Sequence, residues 1–460
     1  MGVTIPSAAG EVLEQYEISN SLRFNSADSA YLHITPSASN RDLFTISLWA
    51  KRSSLNTGAR QVLFGVGNPG TSSQVGFEIR FDDSVGDGKL RITDYVAGSS
   101  DNLVLKTNAL FRDPSAWYHI VFAYDSAQGT DSNRAKVYVN GTQITSFATA
   151  TYPSQNQDSA VGSNTKHLIG NLDGDGYDYN GYLTEVNYVD GAAKSPTDFG
   201  KFDDNGVWIP KRYTGAYGTN GFFLEFKQTG TSANSSGIGA DTSGNDNHLT
   251  PVNFAATDVT EDTCTNNFAT LNSLDTASNI TLTEGNTTGT ANTNHSASRA
   301  TIGFTTGKWY WENKIVSISG GPAIGVMSSD APLANQVNST QSRWYRNQGQ
   351  KFNNGTETTG YGATFAANDI IGVALNLDDG EITFYKNGSS QGVAFTDLIS
   401  STSESWHPAI KVYDEGISVN FGNPSFSISS GNTDGKYGNF EYAPPSGYYA
   451  VCTKRLAEFG

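Results

Sequence analysis

The sequence predicts an all-β protein built from two tandem antiparallel β-sandwiches, and three observations support this prediction. Short segments alternate apolar and polar residues, as strands with one buried face do. Gly, Ser, Thr and Asn are abundant while charged residues make up only 16%, which suits short strands and tight turns better than long helices. A chain of 460 residues also exceeds the ~250–300 that one hydrophobic core serves, so at least two domains are expected.

The first strand series occupies residues 19–226 and follows a short unpatterned N-terminal arm, residues 1–18. In its second strand, Phe44, Ile46 and Leu48 share one face, which is therefore predicted to be the buried one. The predicted strands of this series are 21–24, 44–50, 61–67, 76–81, 117–124, 135–139, 167–170, 182–189 and 221–226.

A predicted linker, residues 227–275, comes next, because its composition shifts to Gly, Ser, Thr, Asn and Asp. A second strand series fills residues 276–422, and residues 423–460 form a C-terminal extension. Each series holds a strand that ends in Asn-Gly, at Asn140 and at Asn387, which is the strongest short signal for a hairpin. The predicted strands of the second series are 279–283, 308–315, 323–327, 369–377, 381–385, 407–412 and 416–421.

Charge and cysteine content argue against several classes of protein. The net charge of −16 is the opposite of the basic surface that binds nucleic acid. No run approaches the ~18 apolar residues of a membrane span, and the N-terminal arm lacks the apolar run of a signal peptide. We therefore expect a protein made in a cytoplasm without membrane insertion. Cys264 and Cys452 are expected to be free thiols, with a single bridge as the alternative.

Four segments of the first series carry a family resemblance: FTISLW (44–49), WYHIVFAYD (117–125), KVYVNG (136–141) and GYLTEV (181–186). In order and spacing they resemble the laminin-G-like, concanavalin A-like family. The resemblance implies a concanavalin-like jelly-roll sandwich and a role in binding rather than catalysis, although a fold alone does not define a function.

The second series resembles a different family. Its segments are GKWYWE (307–312), AIGV (323–326), DIIGVA (369–374), ITFYKNG (382–388), WHPA (406–409) and VNFG (419–422), and together they resemble a SPRY domain. The closing segment YAPPSGYYAVCT (442–453) is similar to the end of phage structural proteins that combine these two modules. The resemblance of this closing segment implies a phage virion protein.

The expected function is therefore that of a phage virion appendage, a tail fibre or spike, that binds host-surface carbohydrate or another receptor. Several copies per virion would multiply weak individual contacts. The expected partners are other virion proteins, the host glycan or receptor, and further copies of the chain, with a homotrimer as the assumed oligomer. The alternative is a structural capsid decoration or head-fibre protein.

A Gly-rich acidic loop is a candidate calcium site. Asp173, Asp175 and Asp178 place three carboxylates within six residues, and Ca²⁺ takes six to eight oxygen ligands from such flexible loops. Asp125 is a possible remote ligand. The resemblance to laminin-G-like modules, which often hold Ca²⁺ at the sandwich rim, points the same way. The alternative is a simple turn before the strand that starts at Gly181, and the spacing does not match an EF-hand.

Two groups of aromatic residues are candidate ligand contacts. Trp344, Tyr345 and Arg346 lie in a polar, turn-rich stretch between predicted strands, and exposed aromatics beside an Arg are typical of binding loops. Tyr177 and Tyr179 flank the acidic loop and form the second group. The alternative for each of these residues is packing within a sandwich core.

No catalytic residue is predicted, and the chain is expected not to be an enzyme. The carboxylates around Asp378 and Asp379 resemble a glycosidase pair only superficially, because Asp and Gly there are explained by a hairpin turn. The six His residues form no metal-binding cluster in the sequence, and no nucleophile elbow or phosphate loop is present.

Overall fold

Antiparallel β-strands form nearly all of the regular structure, which confirms the all-β prediction and the two tandem sandwiches. The computed structural model describes residues 15–55, 57–67, 76–83, 88–95, 101–173, 176–293, 295–334, 340–398 and 405–460. Within these ranges the α-helix α1 (Thr453–Phe459) is seven residues long, and no helix is long and apolar enough to cross a membrane.

The described residues of the first half of the chain form the strands β1 (Ser21–Phe24), β2 (Tyr31–Ile34), β3 (Leu43–Arg52), β4 (Arg60–Gly67), β5 (Gly76–Asp82), β6 (Lys89–Tyr95), β7 (Leu103–Leu110), β8 (Trp117–Asp125), β9 (Ala135–Val139), β10 (Thr142–Gln143), β11 (Phe147–Thr151), β12 (His167–Ile169), β13 (Gly181–Asp190), β14 (Gly200–Phe202), β15 (Trp208–Pro210), β16 (Phe222–Leu224), β17 (Thr250–Val252) and β18 (Val259–Thr260). Short 3-10 helices lie at Ser26–Asp28, Asp131–Asn133, Pro196–Asp198 and Ala256–Asp258.

In the part of the chain that the structure describes, the first sandwich consists of two sheets of eight strands each. The front sheet has the order β10-β9-β8-β3-β13-β1-β18, with β16 paired to β13, and the back sheet has the order β11-β7-β6-β5-β4-β12-β2-β17. The predicted face of β3 points between the sheets, because Phe44, Ile46 and Leu48 are all fully buried in the core. Phe44 meets Phe77 of the back sheet edge-on, with ring centroids 6.2 Å apart.

The outer face of the front sheet is also covered. Strands β14 and β15 form a two-stranded hairpin in this covering layer. Phe199, Tyr213 and Tyr217 from the same layer pack on Val121 and Val189 of the sheet and make a second, smaller apolar cluster. The front sheet is therefore buried on both faces over part of its area.

Residues 227–275 were predicted to be a linker, and the structure corrects this, because residues 250–260 complete the first sandwich and residues 271–275 lie in a strand of the second. Strand β17 pairs with β2 and β18 pairs with β1, and Leu249 and Phe254 enter the first core. The polar side chains of this segment form hydrogen bonds with backbone groups and thereby order the chain. The Asp241 carboxylate, for example, accepts hydrogen bonds from the backbone N–H groups of Phe223, Ser243 and Asn247 at 2.8–2.9 Å.

In the second half, the strands within the described ranges are β19 (Leu271–Thr276), β20 (Ile280–Thr283), β21 (Thr288–Ala291), β22 (Ser296–Ala300), β23 (Lys308–Ser317), β24 (Ala323–Ser328), β25 (Ser342–Arg346), β26 (Lys351–Asn353), β27 (Thr356–Thr358), β28 (Ile370–Asn376), β29 (Glu381–Lys386), β30 (Ser389–Phe395), β31 (Trp406–Val412), β32 (Gly416–Asn420) and β33 (Tyr449–Ala450).

The second sandwich pairs a sheet of order β19-β22-β31-β24-β25-β26-β27 with one of order β20-β21-β32-β23-β28-β29-β30. Trp309 and Trp311 of β23 are fully buried in the core between these sheets. The C-terminal extension packs on the same sandwich, since β33 pairs in parallel with β23. Arg455 of α1 also forms a 2.7 Å ion pair with Asp434 within the extension.

Buried polar contacts join the two sandwiches. The guanidinium of Arg23, on β1, lies 3.0 Å from Asp258 and 3.4 Å from Glu284 of the second half. Tyr182 Oη donates to the carbonyl of Gly285 at 2.8 Å, and Asn286 Nδ2 donates to that of Ser53 at 2.7 Å. Such direct contacts fix the relative position of neighbouring domains far better than a flexible linker does.

Residues near the two ends of the chain meet beside the front sheet. The Ile18 N–H donates to Thr265 Oγ1 at 3.1 Å, and the Thr453 hydroxyl accepts from the N–H of Asn267 at 2.9 Å. Lys454 Nζ lies 2.6 Å from a carboxylate oxygen of Glu17. The N-terminal arm and the C-terminal extension therefore contact the same short segment of the chain.

Candidate functional site

A groove lined by three tryptophans lies on the outer face of the front sheet. Trp49 of β3 and Trp117 of β8 point away from the sandwich core, and Trp208 of β15 covers them from the hairpin layer. The groove has a volume of about 600 Å³, within the ~300–1,000 Å³ range of ligand sites. We call it the tryptophan groove; its other lining residues are Ser115, Ala116, Asn140, Phe202, Gly206, Val207, Cys264, Asn267 and Thr453.

His119 fixes the orientation of two of these indoles. Its ring stacks between Trp49 and Trp208, at centroid distances of 4.8 and 5.9 Å. The Trp208 Nε1–H donates to His119 Nδ1 at 3.0 Å, which leaves Nε2–H to donate to Ser47 Oγ at 2.9 Å. Burial lowers the pKa of His119 to about 3, so the imidazole is neutral near neutral pH and can accept the indole proton. The aromatic floor of the groove is thus held in place before any ligand arrives.

The rim of the groove exposes apolar surface. Phe202 is 54% exposed and Val207 is 56% exposed, both in the hairpin layer. The Phe202 ring stands edge-on to Trp208 with centroids 4.9 Å apart. Large apolar side chains left open beside a preformed concave site are typical of ligand contacts.

Polar groups complete the groove. Asn267 is held rigidly, because its Nδ2 donates to the carbonyl of Ser115 at 2.6 Å and its Oδ1 accepts from Lys51 at 2.7 Å. Asn140 Oδ1 accepts from the backbone N–H of His119 at 2.8 Å. Aromatic faces with a few fixed amides and hydroxyls can bind a ligand that has an apolar face and a hydroxylated edge.

Two of the three residues predicted in the second sandwich are not available to a ligand, so the prediction of an exposed platform was wrong for them. Trp344 is 1% exposed and Tyr345 is fully buried. They belong to strand β25, in which successive side chains point to opposite faces. Tyr345 therefore enters the core between the sheets, while Trp344 packs with Met327 and Phe352 in a separate cluster.

Arg346, the third residue of that group, remains partly exposed. Its Nε has no hydrogen bond partner among the described residues, and its guanidinium lies 5.7 Å from the Phe352 ring. Both Arg346 and Lys411 are paired in register with Ala323, so their side chains share one sheet face. Lys411 Nζ donates to His295 Nδ1 at 3.2 Å, and burial lowers the pKa of Lys411 to about 8.

The two tyrosines that were predicted to contact a ligand differ in their burial. Tyr179 is fully buried, and its hydroxyl donates to the carbonyl of Lys51 at 2.6 Å, so the prediction of a ligand contact was wrong for it. Tyr177 is half-buried, and the Arg60 guanidinium lies 4.8 Å from its ring. Tyr179 lies two residues before β13, whose residues are buried on both faces, and its ring packs in the core of the first sandwich.

The predicted calcium ligands do not come together. Asp173 forms a 2.8 Å ion pair with Lys166, and Asp178 accepts from Asn171 Nδ2 at 2.6 Å. Asp125 pairs with Leu43 at one end of β3, whereas β13 begins opposite Arg52 at the other end, roughly 30 Å away at ~3.3 Å per residue. Asp175 lies outside the described residues. In the part of the chain that the structure describes, no three acidic, His or Cys side chains are grouped as metal ligands.

The sequence contained a signal for the tryptophan groove that the sequence analysis did not use. Trp49 alternates with Leu48 and Ala50, and Trp117 and His119 alternate with Tyr118 and Ile120. Large aromatic residues on the face opposite a predicted core indicate either a second buried layer or a binding surface. Trp208 carries no comparable local signal, because it joins the groove from 89 residues further along the chain than His119.

Comparison with known proteins assigns both sandwiches to families. Residues 25–198 match the concanavalin A-like lectin/glucanases superfamily, and residues 308–424 match the SPRY domain. The chain therefore carries a concanavalin A-like domain and a SPRY domain in tandem.

The similarity to curated RNA helicases consists of partial SPRY matches. The ATP-dependent RNA helicase Ddx1 of Drosophila melanogaster is 34% identical over 104 residues, which are 23% of this chain and 12% of the helicase. Ran-binding protein 9 of Xenopus laevis is 30% identical over 126 residues, 26% of this chain and 22% of that protein. The chain thus spans less than a quarter of the length of either relative.

The similar solved structures also match only part of this chain. The SPRY domain of human HERC1 is 24% identical, with a TM-score of 0.27, and covers 29% of this chain and 87% of that domain. A heptameric SAP-like pentraxin from Limulus polyphemus is 14% identical, with a TM-score of 0.29, and covers 39% of this chain and 80% of the pentraxin.

Proposed function

We propose that this protein is a non-catalytic recognition protein that binds carbohydrate in the tryptophan groove. The observation that carries the proposal is the stack of His119 between Trp49 and Trp208, with the indole N–H of Trp208 bound to His119 Nδ1. His119, Trp49 and Trp208 are 1%, 4% and 8% exposed, so they form a fixed base for the groove. A ligand that lies against the half-buried Trp117 and the exposed Phe202 above this base loses little free energy to ordering the site.

Sugar rings suit the groove chemically. A pyranose presents a face of C–H groups to an aromatic ring and hydroxyls around its edge. The groove offers the rings of Trp117 and Phe202 for the first and the side chains of Ser115, Asn140 and Thr453 for the second. Among the described residues that line the groove there is no carboxylate, so a neutral glycan needs no counter-charge from them.

We further propose that the protein is a phage virion appendage, and that its glycan is on the host surface. The closing segment 442–453 supports this proposal through its resemblance to phage structural proteins. Individual sugar contacts of this kind are weak, and several copies of the chain on one particle would supply the missing avidity. The other copies and the remaining virion proteins are the proposed partners.

A second candidate function is the recognition of a protein partner by the same rim. Phe202 and Val207 leave apolar surface open, as protein-binding sites do. The SPRY stretch is similar to that of Ran-binding protein 9, whose name describes binding to a protein. A partner of this kind would pack an apolar side chain against Phe202 and Val207.

A glycan array with the purified chain and its Phe202→Ser variant tests the first proposal. An aromatic contact is worth ~0.5–1.5 kcal/mol, so the variant should bind its glycan up to about tenfold more weakly. The matched control is Leu110→Ser, which removes a 46% exposed apolar side chain from the back sheet, outside the groove. Binding to no glycan, or equal losses in both variants, would contradict the proposal. Capture of apolar peptides that Phe202→Ser abolishes would support the protein partner instead.

A further inference from the structure

A lysine, an aspartate and an asparagine meet at the outer face of the front sheet. Lys51 Nζ donates to Asp262 Oδ2 at 2.8 Å, to Asn267 Oδ1 at 2.7 Å and to the Phe268 carbonyl at 3.1 Å. A C=O bond is about 1.2 Å long, so the amide carbon Cγ of Asn267 is at most about 3.9 Å from the lysine nitrogen. Atoms poised to react with each other are ~3–3.5 Å apart, so this amine needs only a small movement to attack the amide carbon.

The surroundings of Lys51 are dry and aromatic. Lys51 is 1% exposed and Asp262 is fully buried. Trp117 of β8 and Tyr182 of β13 are paired in register with Lys51, so the three side chains share one sheet face, and Nζ lies 5.4 Å from the centroid of the Tyr182 ring. Such an environment disfavours a separated ammonium and carboxylate and favours the neutral amine and carboxylic acid.

Asp262 can accept the proton that Lys51 must lose before it can attack. The two groups already share a hydrogen bond, and burial raises the pKa of the Asp262 carboxyl above its ordinary value. The other oxygen of this carboxyl, Oδ1, accepts from the N–H of Phe268 at 3.2 Å, which fixes its orientation. A buried lysine next to a proton acceptor is the usual form of an activated amine nucleophile.

Asn267 is positioned as the electrophile. Its Nδ2 donates to the carbonyl of Ser115 at 2.6 Å, so the amide is held in place by a group other than the lysine. Asn267 and Ser115 both line the tryptophan groove, whereas Lys51 is closed off from solvent. A small molecule released from this amide therefore has a path to solvent through the groove.

We propose that Lys51 and Asn267 join in an autocatalytic isopeptide bond, an amide bond between two side chains, with Asp262 as the proton carrier. The Lys51 ammonium gives one proton to the Asp262 carboxylate, and the electron pair of the resulting amine forms a bond to Asn267 Cγ. Asp262 then relays a proton from the attacking nitrogen to the leaving nitrogen. The Cγ–Nδ2 bond breaks, its electron pair leaves with one molecule of ammonia, and Asp262 keeps the first proton. No oxidant or reductant takes part.

The bond connects the two halves of the chain. Lys51 lies on β3 of the first sandwich, and Asn267 lies between β18 and β19, on the segment that leads into the second. A covalent link between residues so far apart in sequence restricts the unfolded chain and thereby stabilises the folded one. The reaction uses no ligand, so it is independent of the function proposed for the tryptophan groove.

Mass spectrometry of the purified, folded full-length chain tests this proposal. The intact mass should be lower than the sequence mass by one ammonia. A succinimide at an Asn-Gly pair such as Asn140-Gly141 loses the same mass, so the peptides decide the question. Digestion with trypsin and a glutamate-specific protease should release residues 42–52 joined to residues 262–284. Recovery of these two peptides only as separate species from the folded wild-type chain would overturn the proposal.

Two variants and a control assign the roles of the residues. Asn267→Ala removes the amide carbon, and Asp262→Asn keeps the size of the side chain but removes the proton carrier, so neither should yield the joined peptide. The control is Lys454→Arg, which changes a lysine that pairs with Glu17 and should leave the joined peptide unchanged. Circular dichroism checks that each variant is folded. A joined peptide that persists in Asp262→Asn would overturn the role given to Asp262, and loss of the joined peptide from all three variants would overturn the assignment of the bond to these residues.

Discussion

The ammonium group of Lys51 lies 2.8 Å from a carboxylate oxygen of Asp262, and both side chains are buried from solvent. Lys51 is on β3 of the first sandwich, whereas Asp262 follows β18 on the way to the second. Two further acceptors, Asn267 Oδ1 and the Phe268 carbonyl, lie 2.7 and 3.1 Å from the same ammonium. A buried charge that is fully paired in this way becomes costly when its counter-charge is removed.

We predict that Asp262→Ala lowers the free energy of unfolding by about 3–5 kcal/mol, because Lys51 is left buried without a carboxylate. Urea denaturation of the purified chain measures this change. The matched control is Asp158→Ala, which breaks the exposed ion pair with Arg41 and should cost less than about 1 kcal/mol. Losses of similar size in the two variants would contradict a structural role for the buried pair.

His119 should make the protein less stable in acid. Burial lowers its pKa to about 3, whereas a histidine in the unfolded chain titrates near 6.5. Below about pH 6.5 the unfolded state therefore binds a proton that the folded state does not bind. As the pH falls from 6.5 towards 3, the free energy of unfolding decreases by at most about 1.4 kcal/mol per pH unit.

The His119→Gln variant isolates this contribution. Its free energy of unfolding should lie below that of the wild type at pH 7, because the stack and the Trp208 hydrogen bond are damaged, and the gap should narrow as the pH falls. Urea denaturation at pH 7, 6, 5 and 4 gives the comparison. A gap that stays constant across this range would show that His119 does not titrate as predicted.

Glu185 should make the protein less stable as the pH rises, which is opposite to the effect of His119. Burial raises its pKa to about 8, while an unfolded glutamate titrates near 4.3, and its carboxyl accepts from Tyr16 Oη at 3.0 Å. The folded state therefore keeps a proton that the unfolded state releases. Stability that is fully present below about pH 4.3 is lost as the pH rises towards 8.

Glu185→Gln keeps the shape and an acceptor for Tyr16 but removes the titration. Relative to the wild type, the variant should therefore gain stability steadily as the pH is raised from 4 to 8. Denaturation midpoints across this pH range measure the trend. The prediction fails if the two proteins change in parallel.

Gly170 allows a test of packing at the end of β12. Its φ is +87°, and a Cβ there would lie 2.3 Å from a ring carbon of Phe24, which is fully buried. We predict that Gly170→Ala destabilises the chain by about 1–2 kcal/mol for the backbone conformation and about a further 1–3 kcal/mol for the steric clash.

Gly176→Ala is the control, since its φ of +62° carries the backbone cost while a Cβ there meets no atom within 4 Å. The difference between the two variants in thermal or urea unfolding reports the contact with Phe24. Equal destabilisation by both would mean that Phe24 moves aside freely.

The sequence predicts the architecture well because strand alternation is a local property. The burial of Trp309 and Trp311 follows directly from their shared face on one strand. Trp344 and Tyr345 were misassigned because polar, turn-forming residues flank the short strand β25. Packing against other strands buries both side chains. The tryptophan groove depends on contacts between distant parts of the chain, such as Trp208 with His119, which no local pattern reports.

The segment 227–275 is a second case in which a local sequence pattern does not predict the structure. Its composition is typical of a linker, yet Asp241 organises the backbone around it and Phe254 packs into the core. Gly, Ser, Asn and Asp favour turns both in disordered chains and in tightly ordered loops. The few apolar residues placed among them are what distinguish the two cases.

The ion pair between Glu17 and Lys454 has a mechanical consequence. Residues near opposite ends of a 460-residue chain sit side by side, braced by the contacts of Ile18 and Thr453 with residues 265–267. A pulling force applied between these two points is resisted first by this small set of contacts, and neither sandwich is stretched until they give way. Tension between these two points is therefore borne by these contacts before it reaches the tryptophan groove.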